Sequence, residues 1–244
     1  MDFTLNKYTA LLRALKVFPF ERLTLRHDVD LLPQNSLRTA RLEAGLGLRG
    51  IYYFRAVPQS WDEAVIRQIA ALGHEIGYHY ESLTTCDGDI NAAYADFCKN
   101  LAALRKIAPV KSICMHGSPR SPWDSKEIWR KYDYHALGIE SEPYLDTDFS
   151  KTFYLTDTGR RWDGYKVSVR DKIPQYQDRW TARGLTFHST DDVIEGLRTE
   201  RIPRHLMITV HPQRWNPFGP AWCREWFLQN IKNIVKRLLI LIKK

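Results

Sequence analysis

The amino-acid sequence predicts an α/β fold in which crossover helices connect the strands of a parallel sheet. Strand-like apolar segments alternate with amphipathic helical segments at intervals of about 25 to 35 residues, as is typical of βα units. Several predicted strands also end in histidine or carboxylate side chains, which is typical of sites at the carboxyl edge of a parallel sheet. With 244 residues the chain can bury a sizeable core, so we expect one domain over residues 1–244.

The first predicted elements follow directly from the spacing of apolar residues. From Leu5 to Leu15 they recur at helical spacing, and FPFERLTLRHDV then alternates as a strand does. NSLRTARLEAGLGL predicts the next helix, with Asn35 or Ser36 as its N-cap. GIYYFR then predicts a short buried strand.

The alternation continues through the middle of the chain. SWDEAVIRQIAALG predicts a helix that begins with a capping box formed by Ser60 and Glu63. HEIGYHYE predicts a strand, and a helix is expected from about Asp89 to Ile107. VKSICMHGS is the fourth predicted strand.

The second half of the chain is less regular. KTFYLTDTG has the rhythm of a strand, and the polar stretch 160–183 suggests a long loop on the substrate side. LTFHSTDDVIEGL predicts a strand and then a helix capped at Ser189 or Thr190, and HLMITVHPQRW predicts the last strand. Residues 219–244 predict a basic amphipathic helix whose apolar face holds Ile231, Ile234, Val235, Leu238, Leu239 and Ile242.

The charge balance narrows the choice of partner without deciding it. Lys and Arg number 36 and Asp and Glu 28, which gives a formal net charge of +8. This charge suits an anionic substrate, a phosphate-bearing carrier or an anionic membrane surface. Zinc-finger spacing, a ribonucleoprotein motif and a long basic arm are all missing from the sequence, so we do not expect a nucleic-acid partner.

Cysteine spacing and the N-terminal residues bear on the compartment. The four cysteines are widely spaced and form no CxxC pair, which disfavours a zinc knuckle or a disulfide framework and favours a reducing compartment. MDFTLNKYTALLRALKVF is amphipathic and carries an acid at position 2, unlike a signal peptide or a membrane span. We therefore expect a cytoplasmic protein. The C-terminal helix could bring it to the inner face of a membrane by peripheral contact with anionic lipid.

The ends of the predicted strands provide the candidate site. The first strand ends in His27, Asp28 and Asp30, the third in His79 and Glu81, the fourth in His116, and the last in His211, Gln213 and Arg214. Side chains at i and i+2 of a strand share a face, so each such pair of residues can point to one common place. Carboxylates and an imidazole at such a place can hold a divalent metal, while a further carboxylate acts as a base.

Three segments of this set resemble a known family. RHDVD, LGHEIGYHYE and LMITVHPQ are similar to the first, second and last signature motifs of the polysaccharide deacetylase superfamily of carbohydrate esterases. The resemblance covers residues 23–215 and implies a distorted seven-stranded β/α barrel. It also implies that Asp28 is the catalytic base, that Asp30 and His79 are metal ligands, and that His211 protonates the leaving group. The implied cofactor is a divalent metal, most simply zinc.

The chain departs from the family pattern at one position. The second metal histidine of the family falls four residues after His79, where this chain has Leu83, and a leucine cannot bind a metal. Either Glu81 or His116 completes the site, or the metal is weakly bound, or this branch works without one. MHGSP occupies the place of an arginine–proline motif of the family. The whole pattern looks like a divergent branch encoded among genes for bacterial surface polysaccharides such as O-antigen.

Further polar segments are candidates for substrate binding. DTGRRWDG combines acid, guanidinium and indole groups, a mixture that suits sugar hydroxyls, so we predict that Arg160, Arg161 and Trp162 bind substrate. Arg214 and Trp215 are predicted to do the same. His74, which precedes its strand, is expected to satisfy a buried carbonyl group rather than to bind a ligand.

These observations predict a metal-assisted hydrolase that removes an N-acetyl group from an amino sugar. Its substrate would be a surface polysaccharide or a lipid- or nucleotide-linked precursor. Two alternatives remain open from the sequence. One is a hydrolase of another amide or formyl group on a sugar, and the other is a carbohydrate-binding relative without activity.

Overall fold

A parallel sheet forms the centre of the protein in a computed structural model that describes residues 1–118, 121–164, 168 and 171–242, without the side chains of 235–242. The strands are β1 (Arg22–Val29), β2 (Ile51–Phe54), β3 (Glu75–Tyr80), β4 (Val110–Met115), β5 (Phe153–Thr156) and β6 (His205–Val210). The helices are α1 (Leu5–Val17), α2 (Pro33–Gly45), α3 (Glu63–Ala71), α4 (Ser82–Thr85), α5 (Ile90–Arg105), α6 (Pro143–Asp146), α7 (Pro174–Ala182), α8 (Thr190–Arg198) and α9 (Pro220–Ile242). The predicted α/β class is confirmed.

The order of the strands is that of a ring opened at one place. The sheet runs β4-β3-β2-β1-β6-β5, and each neighbouring pair is parallel. Strands that follow one another in the chain are neighbours, with the exception of β4 and β5, and β6 returns to lie beside β1. The break falls between β4 and β5, where Ser141 forms a single parallel bridge to Ser112. Within the described residues the sheet has six strands, against the seven that the sequence predicted.

Side chains fill the space that the curved sheet surrounds. The guanidinium of Arg26 on β1 lies 5.7 Å from the ring centre of Tyr53 on β2 and 4.8 Å from that of Tyr144, which follows β4. Gly77 on β3 makes room for Tyr53, because a Cβ atom at Gly77 would lie 2.3 Å from the tyrosine ring. The interior is thus polar and aromatic, and Arg26 crosses it.

The apolar core lies mainly between the sheet and the helices. One cluster packs α1 and α8 against β5 and β6, and a second packs α3 and α5 against β2, β3 and β4. Alternation along each strand sends one set of residues to these clusters and the other set to the interior of the sheet. On β1, for example, Val29 packs in the second cluster, whereas Asp28 faces the interior.

Several predicted element boundaries are wrong for local reasons. LTFH is not a strand. Phe187 is nevertheless buried, because its ring packs against Phe153 of β5 and Gly196 of α8. The stretch predicted as a loop contains helix α7. Helix α2 begins at Pro33, before both predicted caps, and Asp62 rather than Ser60 caps α3. Ser189 caps α8, as predicted.

The C-terminal helix extends over most of its predicted range. It runs from Pro220 to Ile242, and four residues of its predicted apolar face lie where side chains are not described, namely Val235, Leu238, Leu239 and Ile242. Within the described part of the chain, none of the helices combines the length and the apolar content needed to cross a bilayer.

Candidate metal and catalytic site

The carboxyl ends of β1, β3, β4 and β6 bring their polar side chains into one pocket. The Nε2 atom of His79 lies within ion-pair distance of two aspartates, at 3.8 Å from Asp28 Oδ2 and 3.7 Å from Asp30 Oδ1. His211 is close enough for its charge to help lower the pKa values of both aspartates. The predicted convergence is therefore present for Asp28, Asp30 and His79, and Gln213, two residues after His211, donates a hydrogen bond to Asp30 Oδ2 at 3.1 Å.

Asp30, His79 and His116 form a group that could hold a metal ion. Asp30 Oδ1 lies 3.7 Å from His79 Nε2 and 3.6 Å from His116 Nε2, and this oxygen is buried without a hydrogen-bond partner. Ligands bound to tetrahedral zinc at 2.0–2.2 Å lie about 3.4 Å apart. Both separations are close to that value and too long for direct hydrogen bonds. An orphaned carboxylate oxygen facing two imidazoles therefore fits a divalent metal.

The neighbours of His79 hold its ring in a metal-binding state. Its Nδ1 atom lies 2.9 Å from the carbonyl oxygen of Cys114, so we assign the proton to Nδ1, which leaves the lone pair of Nε2 facing the aspartates. Burial lowers the pKa of His79 to about 4, although Asp28 and Asp30 act in the opposite direction. The imidazole is neutral at physiological pH, as a metal ligand must be.

Glu81 lies behind His116 and does not join the metal-binding group, which corrects its prediction as a ligand. Its Oε2 atom is 2.8 Å from His116 Nδ1, and Arg55 donates hydrogen bonds to both of its carboxylate oxygens. Burial acts to raise the pKa of Glu81, but His116 and Arg55 lower it to about 2. The charged carboxylate thus orients His116 in the way that carboxylates orient metal-bound histidines.

A second group shares part of the same pocket. Ligand atoms of Asp28, His79 and Cys114 also lie within 4.8 Å of one another. Burial raises the pKa of the Cys114 thiol well above its ordinary value, so a metal bound there would have to displace a firmly held proton. Asp28 is also engaged by Arg26. The group formed by Asp30, His79 and His116 is therefore the better metal site.

Asp28 is held by a buried arginine on its own strand. Arg26 donates to both oxygens of Asp28, at 2.8 Å from Nε and 2.7 Å from Nη2. Burial acts to raise the pKa of Asp28, but Arg26, followed by His79 and His211, lowers it well below its ordinary value. The result is a fixed, ionised carboxylate beside the metal-binding group.

His211 is held by Asp157, a buried aspartate that directly follows strand β5. Asp157 Oδ1 lies 2.6 Å from His211 Nδ1, and the same carboxylate accepts hydrogen bonds from Arg214 Nη1 at 2.8 Å and Trp215 Nε1 at 2.8 Å. Burial and Arg214 act to lower the pKa of His211, but Asp157 and then Asp30 outweigh them and raise it. The carboxylate fixes the ring and favours its protonated form.

Three residues predicted to bind substrate are buried instead. Trp162 is 3% exposed and Trp215 is not exposed, and both rings pack with Phe3 in the apolar core. Buried indoles cannot stack on a sugar, so the prediction is wrong for these two. Arg214 is also buried, and its Nη1 atom donates to Asp157. These residues hold the support of His211 in place.

Arg160 and Arg161 line a separate cavity of about 240 Å³ beside helix α9. The cavity wall includes Asp163, whose oxygens accept hydrogen bonds from Arg161 at 2.6 and 2.8 Å, and Trp226. The indole of Trp226 is half exposed and could stack on a sugar, as Trp162 was predicted to do. The prediction of substrate binding for the two arginines remains a prediction.

Three further residues have a structural role. Leu83, which stands where the sequence resemblance implied a second metal histidine, is 2% exposed and packs with Ala93 and Ile128. His27 faces the helices rather than the pocket, and its Nε2 atom lies 2.8 Å from Glu43. His74 lies with Nε2 2.9 Å from the carbonyl oxygen of Ala40, as predicted.

Two residues that the sequence prediction missed complete the site. Arg26 stands two residues before Asp28, so strand alternation alone places them on one face. Asp157 stands at the end of a strand segment that was recognised, but its role depends on a partner 54 residues away.

Compared with known proteins, the chain matches no protein-family model and no curated protein sequence.

Proposed function

We propose that the protein is a metal-assisted hydrolase that removes the acetyl group from an N-acetylated amino sugar of a surface polysaccharide or its precursor. The observation that carries this proposal is the arrangement around Asp30 Oδ1, which faces two imidazoles, with Asp28 and His211 close by. A hydrolase of an amide needs a base, an electrophile and an acid, and this pocket offers residues for each.

In this proposal Asp30, His79 and His116 hold a divalent metal, most simply zinc. Bound there, the metal would supply Lewis acidity for the amide carbonyl and make water easier to deprotonate. Glu81 keeps His116 oriented, and the Cys114 carbonyl keeps His79 oriented. His116 would thereby supply the ligand that a second histidine supplies in the family, at the position where this chain has Leu83.

Asp28 accepts the proton of the attacking water. Its low pKa keeps the carboxylate ionised, and Arg26 fixes its direction, so the group is ready to accept a proton without prior rearrangement. The cost of this arrangement is a weaker base than an ordinary aspartate. A divalent metal held by Asp30, His79 and His116 would offset this weakness, because it would make water easier to deprotonate.

His211 donates a proton to the departing amine. Its raised pKa favours the imidazolium form, and Asp157 holds Nδ1, so that Nε2 is the atom left to donate. Without protonation the nitrogen would have to leave as an anion, which is a poor leaving group, so an acid is needed here. The proposed base and acid thus come from the ends of two adjacent strands, β1 and β6.

The sugar and the fold family are the parts of the proposal that rest most on sequence. The motifs RHDVD, LGHEIGYHYE and LMITVHPQ resemble polysaccharide deacetylases. The ring-like strand order, with Ser141 bridged to β4 at the break, supports assignment to their distorted barrel. The cavity with Arg160, Arg161 and Trp226 supports a carbohydrate substrate.

Product analysis tests the proposal. The purified protein with zinc or cobalt should release acetate from N-acetylated amino sugars, and Asp28→Asn should remove this activity while metal remains bound. Release of formate or ammonia instead of acetate, from matched formyl or amide substrates, would indicate a different hydrolase. Saturable sugar binding without any product, in the presence of bound metal, would contradict catalysis and indicate a carbohydrate-binding protein.

A further inference from the structure

Over residues 220–234, where its side chains are described, helix α9 turns polar side chains toward the protein and apolar side chains away from it. The buried side chains of the helix include Gln229 and Asn233, and Asn233 Nδ2 donates to the carbonyl oxygen of Gly159 at 2.8 Å. The indole nitrogen of Trp222 likewise donates to the carbonyl oxygen of Asp2 at 2.9 Å. A surface helix of a globular protein normally does the reverse and buries its apolar side.

The outward side of α9 is an apolar stripe. Phe227, Ile231 and Ile234 follow the i, i+4, i+7 spacing of one helix face, and they are 60%, 45% and 59% exposed. Of the eleven large apolar side chains that are exposed in the described residues, six lie between Phe218 and Ile234. The other five are scattered along the chain before this segment. An exposed apolar patch of this kind marks an interaction surface.

The charges around the stripe identify the partner. Residues 220–244 contain six cationic side chains and one acid, Glu225. Of the cations, Arg224 and Lys232 are exposed on the described part of the helix. Two copies of such a helix would repel each other, whereas an anionic lipid surface would attract it.

We propose that α9 is a peripheral membrane anchor that lies in the plane of an anionic lipid surface. Its 23 residues form a helix about 35 Å long, and the stripe with Phe227, Ile231 and Ile234 would enter the headgroup region. Exposed cations beside the stripe would contact lipid phosphates. The proposal is independent of the hydrolase activity. It would also bring the pocket close to a lipid-linked substrate.

Vesicle sedimentation of the full chain tests the anchor. Binding should be strong to vesicles of phosphatidylcholine with about one third phosphatidylglycerol, weaker to phosphatidylcholine alone, and reduced by salt. The triple variant Phe227→Ser/Ile231→Ser/Ile234→Ser should bind at least about tenfold more weakly. The matched control Val17→Ser/Leu145→Ser changes two exposed apolar residues elsewhere and should bind like the parent protein.

A second variant keeps the test decisive if the triple variant folds poorly. Arg224→Glu/Lys232→Glu reverses two exposed charges and should weaken binding to anionic vesicles by more than about twentyfold, at about fivefold for each cation. Equal binding of this variant and the parent would overturn the proposal. Absence of vesicle binding by the parent would also overturn it, as would a concentration-dependent dimer that the triple variant abolishes. Acetate release from a soluble sugar should be unaffected by either variant.

Discussion

The two faces of strand β1 each carry a cluster of carboxylates and imidazoles, and the two clusters differ in their hydrogen bonding. Its outer face presents His27 to the carboxylate of Glu43, which is also hydrogen-bonded by the hydroxyls of Tyr8 and Tyr52. The inner face presents Asp28 and Asp30 to histidines of other strands. The outer cluster is fully buried and the inner cluster is partly exposed at Asp30 and His116, and both combine acids with imidazoles, yet their hydrogen bonding differs.

The outer cluster is satisfied, and the inner cluster is not. Every polar side-chain atom of His27, Glu43 and His74 has a partner, and the His27 ring also stacks on Tyr52 with ring centres 3.9 Å apart. In the inner pocket Asp30 Oδ1 and Arg26 Nη1 are buried without partners. Unsatisfied buried groups are costly, so they point to a ligand, while satisfied ones point to stability.

The largest expected effect follows from Asp28→Asn, which removes the base of the inner cluster. An amide cannot accept the proton of water, so activity should fall by about 10³-fold. Metal content should persist, since Asp28 is outside the preferred ligand group. The variant also leaves Arg26 without its charge partner, which should lower the free energy of unfolding by about 3–5 kcal/mol. Activity must therefore be expressed per folded molecule, and a loss of less than tenfold would contradict the assignment of the base.

Glu43→Leu tests the other side of the comparison. It leaves His27 and two buried tyrosine hydroxyls without their common acceptor, which should cost about 3–5 kcal/mol in denaturant unfolding. Metal content and activity per folded molecule should be unchanged, because the outer cluster does not reach the pocket. Loss of metal with preserved stability would show that the two faces are not separate in function.

Asp157→Asn should change the pH dependence of activity. The pKa of His211 is raised above its ordinary value of 6.5, so the active imidazolium form persists past that pH and is lost as the pH rises through the folded-state pKa. Without the carboxylate the pKa of His211 should fall, so the alkaline limb of kcat/KM should move to lower pH. At a pH above the pKa, each unit by which the pKa falls leaves about tenfold less protonated histidine. The contribution of His211 protonation to stability should be lost over the same range. An unmoved alkaline limb would exclude His211 as the acid.

Glu81→Gln should have the smallest of these effects. The amide oxygen can still accept a hydrogen bond from His116, but the negative charge that makes the imidazole a better ligand is lost. Metal affinity should fall by about tenfold, as measured by competition with a chelator. As a control, Glu140→Gln removes an exposed carboxylate that pairs with Lys111 and should leave metal affinity unchanged. Complete loss of metal from Glu81→Gln would indicate that Glu81 is itself a ligand.

Local spacing predicted which side chains gather at the carboxyl edge of the sheet, whereas their roles remain predictions. Alternation along β1 and β3 places Asp28 with Asp30, and His79 with Glu81, and parallel strands bring these ends together. The same rule indicates that Arg26 shares the face of Asp28 and that His27 faces away. Strand alternation therefore separates the orientations of His27 and Asp28, although the two residues are adjacent in the sequence.

The rest depended on contacts that spacing does not encode. His116 rather than Glu81 belongs to the metal-binding group, and the Glu81 carboxylate is instead engaged by Arg55, 26 residues before it. LTFH has the burial of a strand, but it pairs with no neighbouring strand in the part of the chain that the structure describes. Trp162 follows two arginines in a polar segment, and only the packing of α1 and α8 against β5 shows that its ring is in the core.

Metal content measured on three proteins tests the central claim most directly. The parent protein, purified in the presence of zinc and dialysed, should contain one zinc ion per chain. His116→Ala removes an inner imidazole and should lose the metal, whereas His74→Ala removes an outer one and should retain it. Equal zinc content in His116→Ala and the parent, or equal loss in both variants, would contradict the account.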